Sequence, residues 1–459
     1  MKHRESQSCK RWIVSAGAGS ILAGTFLALG CPTPSIAQTA DGTAATEPVK
    51  PVALTLAEAI QRAEANEPAY AAARAESRSA GLDRTTAWSN LLPSAVYHNQ
   101  GTYTQGSVQK STSDSSPRFI ASNGVHEYAS QAVVNETVGL GRVAAGRRAD
   151  ATAARMAAEL EIARRGLTAT VTGLYFSVAQ AQNKLAVAER AQAEAAEFLA
   201  LTGKRETARE AAHADVVKAQ LLAQQRERDL SDARLTAEKA RLELGVLVFP
   251  DPRTPYAVAL DDAAVLPTRD EANTLAGKNN PELKSALAAM AESNADVLAA
   301  RAAYLPEIGL NYTYGIDAAQ FAVNAPDHTS NLAYSASVTI DLPVWDWLST
   351  QRKVRQSEIR RQAVKTALTA TQKRLIAKLD EAYAEAAAAR DQLASLDASV
   401  TTAAESLRLT RMRYSEGEAT VFEVVDAQTA FVGAENARED GRLRFQTARA
   451  DLQTLTGSM

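Results

Sequence analysis

The chain has 459 residues, of which 22% are charged, 46% are hydrophobic and only 5% are aromatic, and its formal net charge is −3. A charge so close to zero argues against a nucleic-acid partner, because nucleic-acid binders need a basic face that neutralises phosphates. A mean hydropathy of −0.21 argues against a bundle of membrane-spanning helices. Richness in alanine with few aromatic residues favours an extended helical protein over a compact enzyme core.

The first 37 residues have the order of a secretory signal: cations, an apolar run at residues 12–29, and then small residues. We predict cleavage after Ala37, which removes both cysteines of the chain. The alternative is that Cys31 becomes a lipid-modified N-terminus and serves as a lipid anchor. Residues 38–53, rich in Ala, Thr and Pro, are predicted to form a disordered lead-in.

The sequence repeats one unit at an offset of 213 residues. A capping-box pattern that starts a helix at Thr55 recurs at Thr268. The Leu-Pro pair that ends at Pro93 recurs at Pro306. The predicted organisation is repeat 1 at 54–250, a proline-rich linker at 251–265 and repeat 2 at 266–459, each with one helix, two strands and a long helical hairpin.

The first helix of each repeat is predicted to run from Thr55 to about Asn90 and from Thr268 to about Tyr304. Leu-Pro ends both helices, because the residue before a proline is pushed out of the helical region.

Two strands follow the helix in each repeat. In repeat 2, residues 308–314 and 332–342 alternate strictly between apolar and polar, which predicts strands with one apolar and one polar face. The matching strands of repeat 1, near 94–105 and 125–138, alternate less cleanly. A soluble sandwich with an apolar core would show the same pattern. In the membrane interpretation, Leu310, Tyr312, Val338 and Ile340 face lipid.

Each repeat ends in a long proline-free hairpin. The predicted helices span 147–203 and 211–247 in the first repeat, and 351–415 and 419–455 in the second. At 1.5 Å per residue, a helix of some sixty residues is a rod of roughly 90 Å. Such rods suit a periplasm-spanning tube better than a sandwich.

Together these features resemble the TolC-type outer-membrane efflux proteins. The specific motifs are Asn280-Pro281 at a helix start, the Leu-Leu-Pro-Ser run at 91–94, and the hairpin tip at 413–428, which residues 211–220 echo. One position departs from the family: the arginine often found two residues after the tip glycine is replaced by Ala419. A gate that depends on that arginine is therefore in doubt.

The resemblance implies a homotrimer in the outer membrane of a Gram-negative bacterium. Its fold would be mixed α/β: a trimeric 12-stranded outer-membrane β-barrel continued by a long α-helical coiled-coil tunnel in the periplasm. Its partners would be outer-membrane lipid, a periplasmic adaptor protein and an inner-membrane transporter. Efflux of small molecules is the first prediction, and a type I protein secretion system is the alternative. A periplasmic coiled-coil adaptor or structural protein is the rival from another class.

Two groups of site residues follow from the resemblance. A channel constriction is predicted at Glu423 and Asp426, which lie three residues apart on one helix face, with Asp215 at the matching position of the first repeat. Adaptor docking is predicted at the two hairpin tips, and Gly417 is expected to supply the positive φ of a helix-ending turn. The docking residues are Arg209, His213, Glu416, Gly417 and Glu418.

The sequence shows no enzyme motif. None of its five histidines is spaced for a metal site, and no phosphate loop or nucleophile elbow is present. We therefore predict no catalytic residue, no metal and no cofactor. Trp345, Trp347 and Tyr334 are either a girdle at the membrane interface or packing at a strand-to-helix junction.

Overall fold

The computed structural model describes residues 52–103, 126–258, 266–326 and 328–457. The predicted signal peptide, Cys31 and most of the lead-in lie outside these residues, as does the 259–265 part of the linker. The elements, in chain order, are β1 (Val52–Leu54), α1 (Leu56–Asn66), α2 (Pro68–Ser89), β2 (Ser94–Tyr103), β3 (His126–Val138), α3 (Leu140–Thr207), α4 (His213–Val248), β4 (Tyr256–Val258), α5 (Arg269–Asn279), α6 (Pro281–Ala302), β5 (Glu307–Ala318), β6 (Leu332–Asp341), α7 (Ser349–Ser415) and α8 (Val421–Thr456).

The first helix of each half is two helices, so the prediction of a single helix was wrong. Pro68 and Pro281 each occupy the first position of a new helix. The residues before them, Glu67 and Asn280, are extended, with ψ of 116° and 121°. A proline ring excludes the helical region for its predecessor and lacks the N–H that would continue the hydrogen-bond ladder. The capping boxes predicted at Thr55 and Thr268 are both present.

A small sheet forms where the sequence predicted only a lead-in and a linker. β1 pairs in parallel with β4, with Leu54 opposite Val258. The carbonyl of Leu54 accepts a hydrogen bond from the buried hydroxyl of Tyr175 at 2.9 Å. Three-residue strands whose partner lies some two hundred residues away leave no periodicity in the sequence. Only the tertiary contact defines them.

The four long strands form one antiparallel sheet in the order β2-β3-β5-β6. The pairing places Ser94 opposite Asn135, Val138 opposite Ile308, and Glu307 opposite Asp341. All four strand-to-helix junctions therefore lie at one end of the sheet, and the strand-connecting segments lie at the other end.

The helices continue the order of the strands. α2 packs on α3, α3 on α6, and α6 on α7, so the row α2-α3-α6-α7 repeats the order of the strands to which these helices are joined. Farther along α3 and α7, α4 and α8 fold back as hairpin partners, and α3 also packs on α8. α3 and α7 have 68 and 67 residues, which corresponds to about 100 Å each.

Three apolar clusters hold the helices together. The largest joins α1 to α3, α4 and the small sheet, with Tyr175 and Leu244 at its centre. A second cluster joins α5 to α7 and α8 around Leu379 and Leu452. The third lies at the ends of the hairpins and includes Phe198 and Tyr414. Many of the remaining core residues are alanines, which allow helix backbones to approach closely.

An ionic seam joins α3 to α8 between the apolar clusters. Glu435 and Glu439 are 5% and 2% exposed. Glu435 accepts a hydrogen bond from Arg190 at 2.9 Å, and Glu439 accepts one from Asn183 at 2.8 Å. Arg438 also donates to Glu439 at 3.0 Å. Because both carboxylates are paired, neither is left as an uncompensated buried charge.

Gly245 marks a close approach at the end of α4. A Cβ on this residue would lie 2.5 Å from the carbonyl oxygen of Pro252, which is backbone and cannot swing away. Gly433, in the interior of α8, has no atom within 4 Å of the corresponding position.

We expect Gly245→Ala to lower the free energy of unfolding by roughly 1–3 kcal/mol, because the returning chain must shift. The matched variant Gly433→Ala should raise it by roughly 0.5–1 kcal/mol, because alanine reduces the entropy that the helix loses on folding. Denaturant melts followed by circular dichroism measure both changes. Two shifts of the same sign and size would contradict the predicted contact.

Candidate functional site

The four-stranded sheet exposes one mainly apolar face. Leu310 pairs directly with Val338, and Tyr312 and Ile340 follow at two-residue spacing on the same side. These four predicted lipid-facing residues are between 42% and 68% exposed. No second sheet covers them within the described residues, so the soluble-sandwich interpretation lacks its covering layer.

The opposite face of the sheet is polar. The Asn311 amide donates to the side chain of Asn135, and Thr313 donates to Asn311 at 3.1 Å. Gln131 donates to Asp317 at 3.1 Å. The first and third of these bonds link β3 to β5, and the second lies within β5. This face therefore suits water.

A small polar cluster interrupts the apolar face. Ser130 is 6% exposed, lies 2.8 Å from the Tyr97 hydroxyl and donates to Asn99 at 2.7 Å. Hydrogen bonding within the cluster lowers the cost of placing these groups among apolar neighbours. The cluster lies on β2 and β3, the two strands whose weaker alternation made their faces hard to assign from the sequence.

The outer strands of the sheet are β2 and β6, and neither pairs with another described strand on its outer side. Each therefore presents a row of backbone N–H and C=O groups without ladder partners. Such an edge is a template for pairing with another strand. The outer helices of the row, α2 and α7, lie on the same two sides.

The aromatic residues predicted to form a girdle or to pack at the junction are exposed. Trp345 and Trp347 are 69% and 78% exposed and contact each other edge to face, with ring centroids 5.8 Å apart. Tyr334 stacks on Tyr312 across β5 and β6. The described residues do not bury the two tryptophans, so packing at the junction within one chain does not account for them.

The predicted docking residues lie at the ends of the two hairpins and are all exposed. Gly417 has a φ of +82°, as predicted for a helix-ending turn, and Arg209 has a φ of +65° in the matching connection. Nδ1 of His213 lies 2.8 Å from the carboxylate of Glu206. Glu416 forms the C-cap of α7.

The structure joins the two tips through Arg205, which the sequence analysis missed. Its guanidinium lies 4.8 Å from the centre of the Tyr414 ring and donates to the Tyr414 carbonyl. It also pairs with Glu210 at 3.6 Å. Ala419, at the position of the missing family arginine, packs against the apolar cluster beneath. The link between hairpins therefore comes from an arginine on the other hairpin.

The constriction candidates have unequal surroundings. Glu423 completes a third capping box, because its backbone N–H donates to the Thr420 hydroxyl at 3.3 Å and its carboxylate accepts the Thr420 backbone N–H at 3.2 Å. The Thr420 hydroxyl also donates to this carboxylate at 3.1 Å. The two bonds that the carboxylate accepts from Thr420, and then Arg413 at 3.4 Å, lower the pKa of the Glu423 carboxyl. Asp426 is exposed one turn along α8, and Asp215 is half-buried in the first turn of α4.

The Thr-Val-Phe-Glu spacing at 420–423 could have revealed the capping role of Glu423 from the sequence alone. A capping role does not remove the charge from the tip. It does mean that replacing Glu423 with alanine changes both the charge and the start of α8.

The described residues contain no group of three or more His, Cys, Asp and Glu side chains suited to a metal ion. Among the same residues, no helix combines the length and the hydropathy that a membrane span requires.

Comparison with known proteins finds similarity to one family. Residues 274–458 match the sequence model of the family described as outer membrane efflux protein. The chain is 29% identical over 159 residues to the outer membrane protein TolC of Vibrio cholerae, covering 34% of this chain and 35% of that protein. It is 26% identical over 191 residues to the proteases secretion protein PrtF of Dickeya chrysanthemi, covering 40% and 41%.

The fold match is longer than the sequence matches. The crystal structure of the Campylobacter jejuni CmeC outer membrane channel superposes with a TM-score of 0.75 at 15% identity, covering 88% of this chain and 85% of that chain. The resemblance to TolC-type outer-membrane efflux proteins is confirmed. The predicted outer-membrane location is confirmed by the same relatives. The sequence matches span well under half the length of the curated relatives.

Proposed function

We propose that this chain is the outer-membrane channel of a tripartite efflux system. It would be a passive conduit that carries small-molecule cargo from an inner-membrane pump and a periplasmic adaptor across the periplasm and the outer membrane. The observation that carries the proposal is the sheet itself: an exposed apolar face, a polar face, and four junctions at one end that lead into helices of up to about 100 Å. The apolar face suits lipid, and the helices suit the periplasm.

The unpaired edges support a homotrimer. Four strands do not close a barrel, and in lipid every unpaired backbone group costs several kcal/mol. A second copy that placed its β2 beside β6 would also bring its α2 beside α7, because helices and strands share one order. Three copies would supply twelve strands and continue the barrel into a helical tube. The equal lengths of α1 and α5, α2 and α6, and α4 and α8 support an internal duplication.

Type I protein secretion is the second candidate. The match to PrtF, whose name refers to protease secretion, favours it. The periplasmic adaptor is less well supported, because an adaptor without a channel has no use for a four-stranded sheet with an exposed apolar face. In the channel proposal, catalysis and a cofactor have no role, since the chain only conducts. Outer-membrane fractionation and heat-modifiable trimer migration test the channel against the adaptor, which would fractionate elsewhere.

We expect Val338→Arg to destabilise the barrel by roughly 2–4 kcal/mol, because it places a cation on the lipid face. Thr339→Arg, one residue along the same strand, should be tolerated, because its side chain lies on the polar face. Trimer melting temperature in detergent and the yield of folded trimer in outer membranes measure both. Equal tolerance of the two variants would contradict the assignment of faces.

The hairpin tips are proposed as the adaptor-docking surface. They lie at the end of the helices opposite the sheet, which in the proposed orientation faces the inner membrane. Their exposed side chains carry mixed charge: Arg209 and His213 on one tip, and Glu416 and Glu418 on the other. Arg205 holds the two tips side by side, so a partner would meet them as one surface.

We expect a cysteine at Glu416 or Arg209 to crosslink to an adaptor protein in cells. Both native cysteines precede residue 38 in the sequence, so each introduced thiol would be the only one after cleavage at Ala37. A cysteine at Gln356, in the second turn of α7 near the sheet, is the matched control. Crosslinks formed from Gln356→Cys and not from either tip would contradict the docking proposal.

The constriction is proposed at the same end of the tunnel. In a trimer, Glu423 and Asp426 would place six carboxylates around one axis, and such rings attract cations. Asp215 lies beside Lys218, whose ammonium is 5.3 Å from the centre of the Phe422 ring. That pair adds no net charge, so α8 would dominate the selectivity.

We expect Glu423→Gln with Asp426→Asn to weaken cation preference and block by multivalent cations in planar bilayers. Glutamine preserves the capping bond at Thr420 while it removes the charge. Glu381→Gln is the matched control, because Glu381 is an exposed carboxylate midway along α7 and away from the tip. Because its pKa is lowered, Glu423 should remain ionised as the pH falls through the ordinary glutamate range, and its contribution to selectivity should be lost only below its lowered pKa. Unchanged selectivity in the double variant would place the constriction elsewhere.

A further inference from the structure

The segment between β6 and α7 exposes a cluster of large apolar side chains. Val344, Trp345 and Trp347 are 86%, 69% and 78% exposed. The tryptophans contact each other. Between them, the Asp346 carboxylate accepts the N–H of Thr350 at 2.6 Å and is occupied with the start of α7. The one acidic side chain of the segment is thus bonded to the start of α7, whereas the two rings remain exposed.

The backbone of this segment is held in an uncommon conformation. Trp347 and Leu348 have φ values of +57° and +64°, in a region that bulky residues rarely adopt. This turn does not bury either side chain against the described chain, because both remain more than half exposed. Strain of this kind persists where the exposed arrangement itself has a use.

The start of α7, directly after this segment, carries several cations. Arg352, Lys353 and Arg355 lie in the first two turns of α7, and all three are exposed. The side chains of Arg352 and Lys353 make no hydrogen bond or ion pair with any described residue, and the backbone N–H of Arg352 donates to the Leu348 carbonyl at 3.1 Å within the first turn. Between residues 349 and 365, six cations face a single acid, Glu358, which pairs with Arg301 at 2.7 Å.

These cations oppose the helix macrodipole, which favours anions at a helix start, and Asp346 is the one anion at this start. The helices that begin with a capping box follow the dipole: α1, α5 and α8 each carry a glutamate in the first turn. At the corresponding start of α3, two of the three cations have partners, and only Arg147 has none among the described residues. Arg142 donates to the Asn90 carbonyl, and Arg148 pairs with Asp296 at 3.2 Å. Only the start of α7 combines exposed rings with unpaired cations among these described junctions.

The junction lies at the level where the apolar sheet face ends, two residues beyond the lipid-facing Ile340. Amphipathic aromatic rings settle at the boundary between hydrocarbon and head groups. Cations just beyond that boundary attract anionic head groups within a Debye length.

We propose that the β6–α7 junction is a binding surface for anionic phospholipid head groups in the leaflet on the helical side of the barrel. Trp345 and Trp347 enter the interface, and Arg352 and Lys353 bind the head-group phosphates beneath. This inference rests on the proposed function, because it requires the sheet to lie in a membrane.

The test uses the purified full-length protein in phosphatidylcholine vesicles that contain a small, fixed fraction of brominated phosphatidylglycerol or brominated phosphatidylcholine. Bromine on the acyl chains quenches nearby tryptophan fluorescence. We expect stronger quenching by the anionic lipid, and we expect Trp345→Phe with Trp347→Phe to remove that difference. Because Trp88 is retained in that variant, the loss assigns the signal to the junction.

The double variant Arg352→Gln with Lys353→Gln should lower the preference for the anionic lipid roughly fivefold or more. The matched control is Lys373→Gln with Arg374→Gln, which removes the same two charges about 30 Å farther along the same helix and should leave the preference unchanged. High salt should reduce the preference of the unmodified protein, which tests the electrostatic part without any substitution.

Channel conductance of the same preparation in planar bilayers distinguishes failure of the head-group site from failure of the proposed channel function. Conductance with equal quenching by both lipids overturns the head-group site and leaves the channel intact. Conductance with no quenching at Trp345 and Trp347 means that protein, such as a second copy of this chain, covers the junction, and it also overturns the site. Failure to insert or conduct overturns both.

Discussion

The backbone groups of the two outer strands are the constraint on which the rest of the structure depends. β2 and β6 each leave one edge without ladder partners, while one face of the sheet is apolar and exposed. Water would satisfy the edges but not the face, and lipid would satisfy the face but not the edges. A closed assembly of several copies in a bilayer satisfies both. The shared order of strands and helices means that the same contact would also close the helical layer.

Below the sheet, different interactions hold the helices. Small residues bring backbones close, as at Gly441, where a Cβ would meet the side chain of Leu396. The ionic seam with Glu435 and Glu439 then fixes which faces of α3 and α8 meet, because buried carboxylates tolerate only registers that pair them. At the tips, Arg205 and Tyr414 bring the hairpins together. The link that the family places two residues after the tip glycine thus has a counterpart from the other hairpin.

The charges at the helix starts differ between α7 and the helices that begin with a capping box. Three of the described helices begin with a capping box, and in each box a glutamate side chain accepts the backbone N–H of the N-cap threonine. Glu423 shows that one carboxylate can serve as a cap and still present charge at the predicted constriction. α7 begins differently: its N-cap residue Leu348 makes no cap bond, the Asp346 carboxylate accepts the N–H of Thr350 instead, and the first two turns carry exposed cations.

The sequence alone determined the features that local chemistry encodes. Capping boxes, alternation in β5 and β6, and the positive φ of Gly417 depend on residues within a few positions of each other, so they could be predicted. The sequence also placed a helix start at Asn280-Pro281, yet each repeat was predicted to begin with one helix, and the structure breaks both helices at Pro68 and Pro281. Tertiary structure alone decided the pairing of β1 with β4, the seam between α3 and α8, and the contact of Arg205 with Tyr414. These join residues some two hundred positions apart, and the chain carries no periodic signal for contacts of that kind, because their free energy arises only when the folded helices bring the partners together.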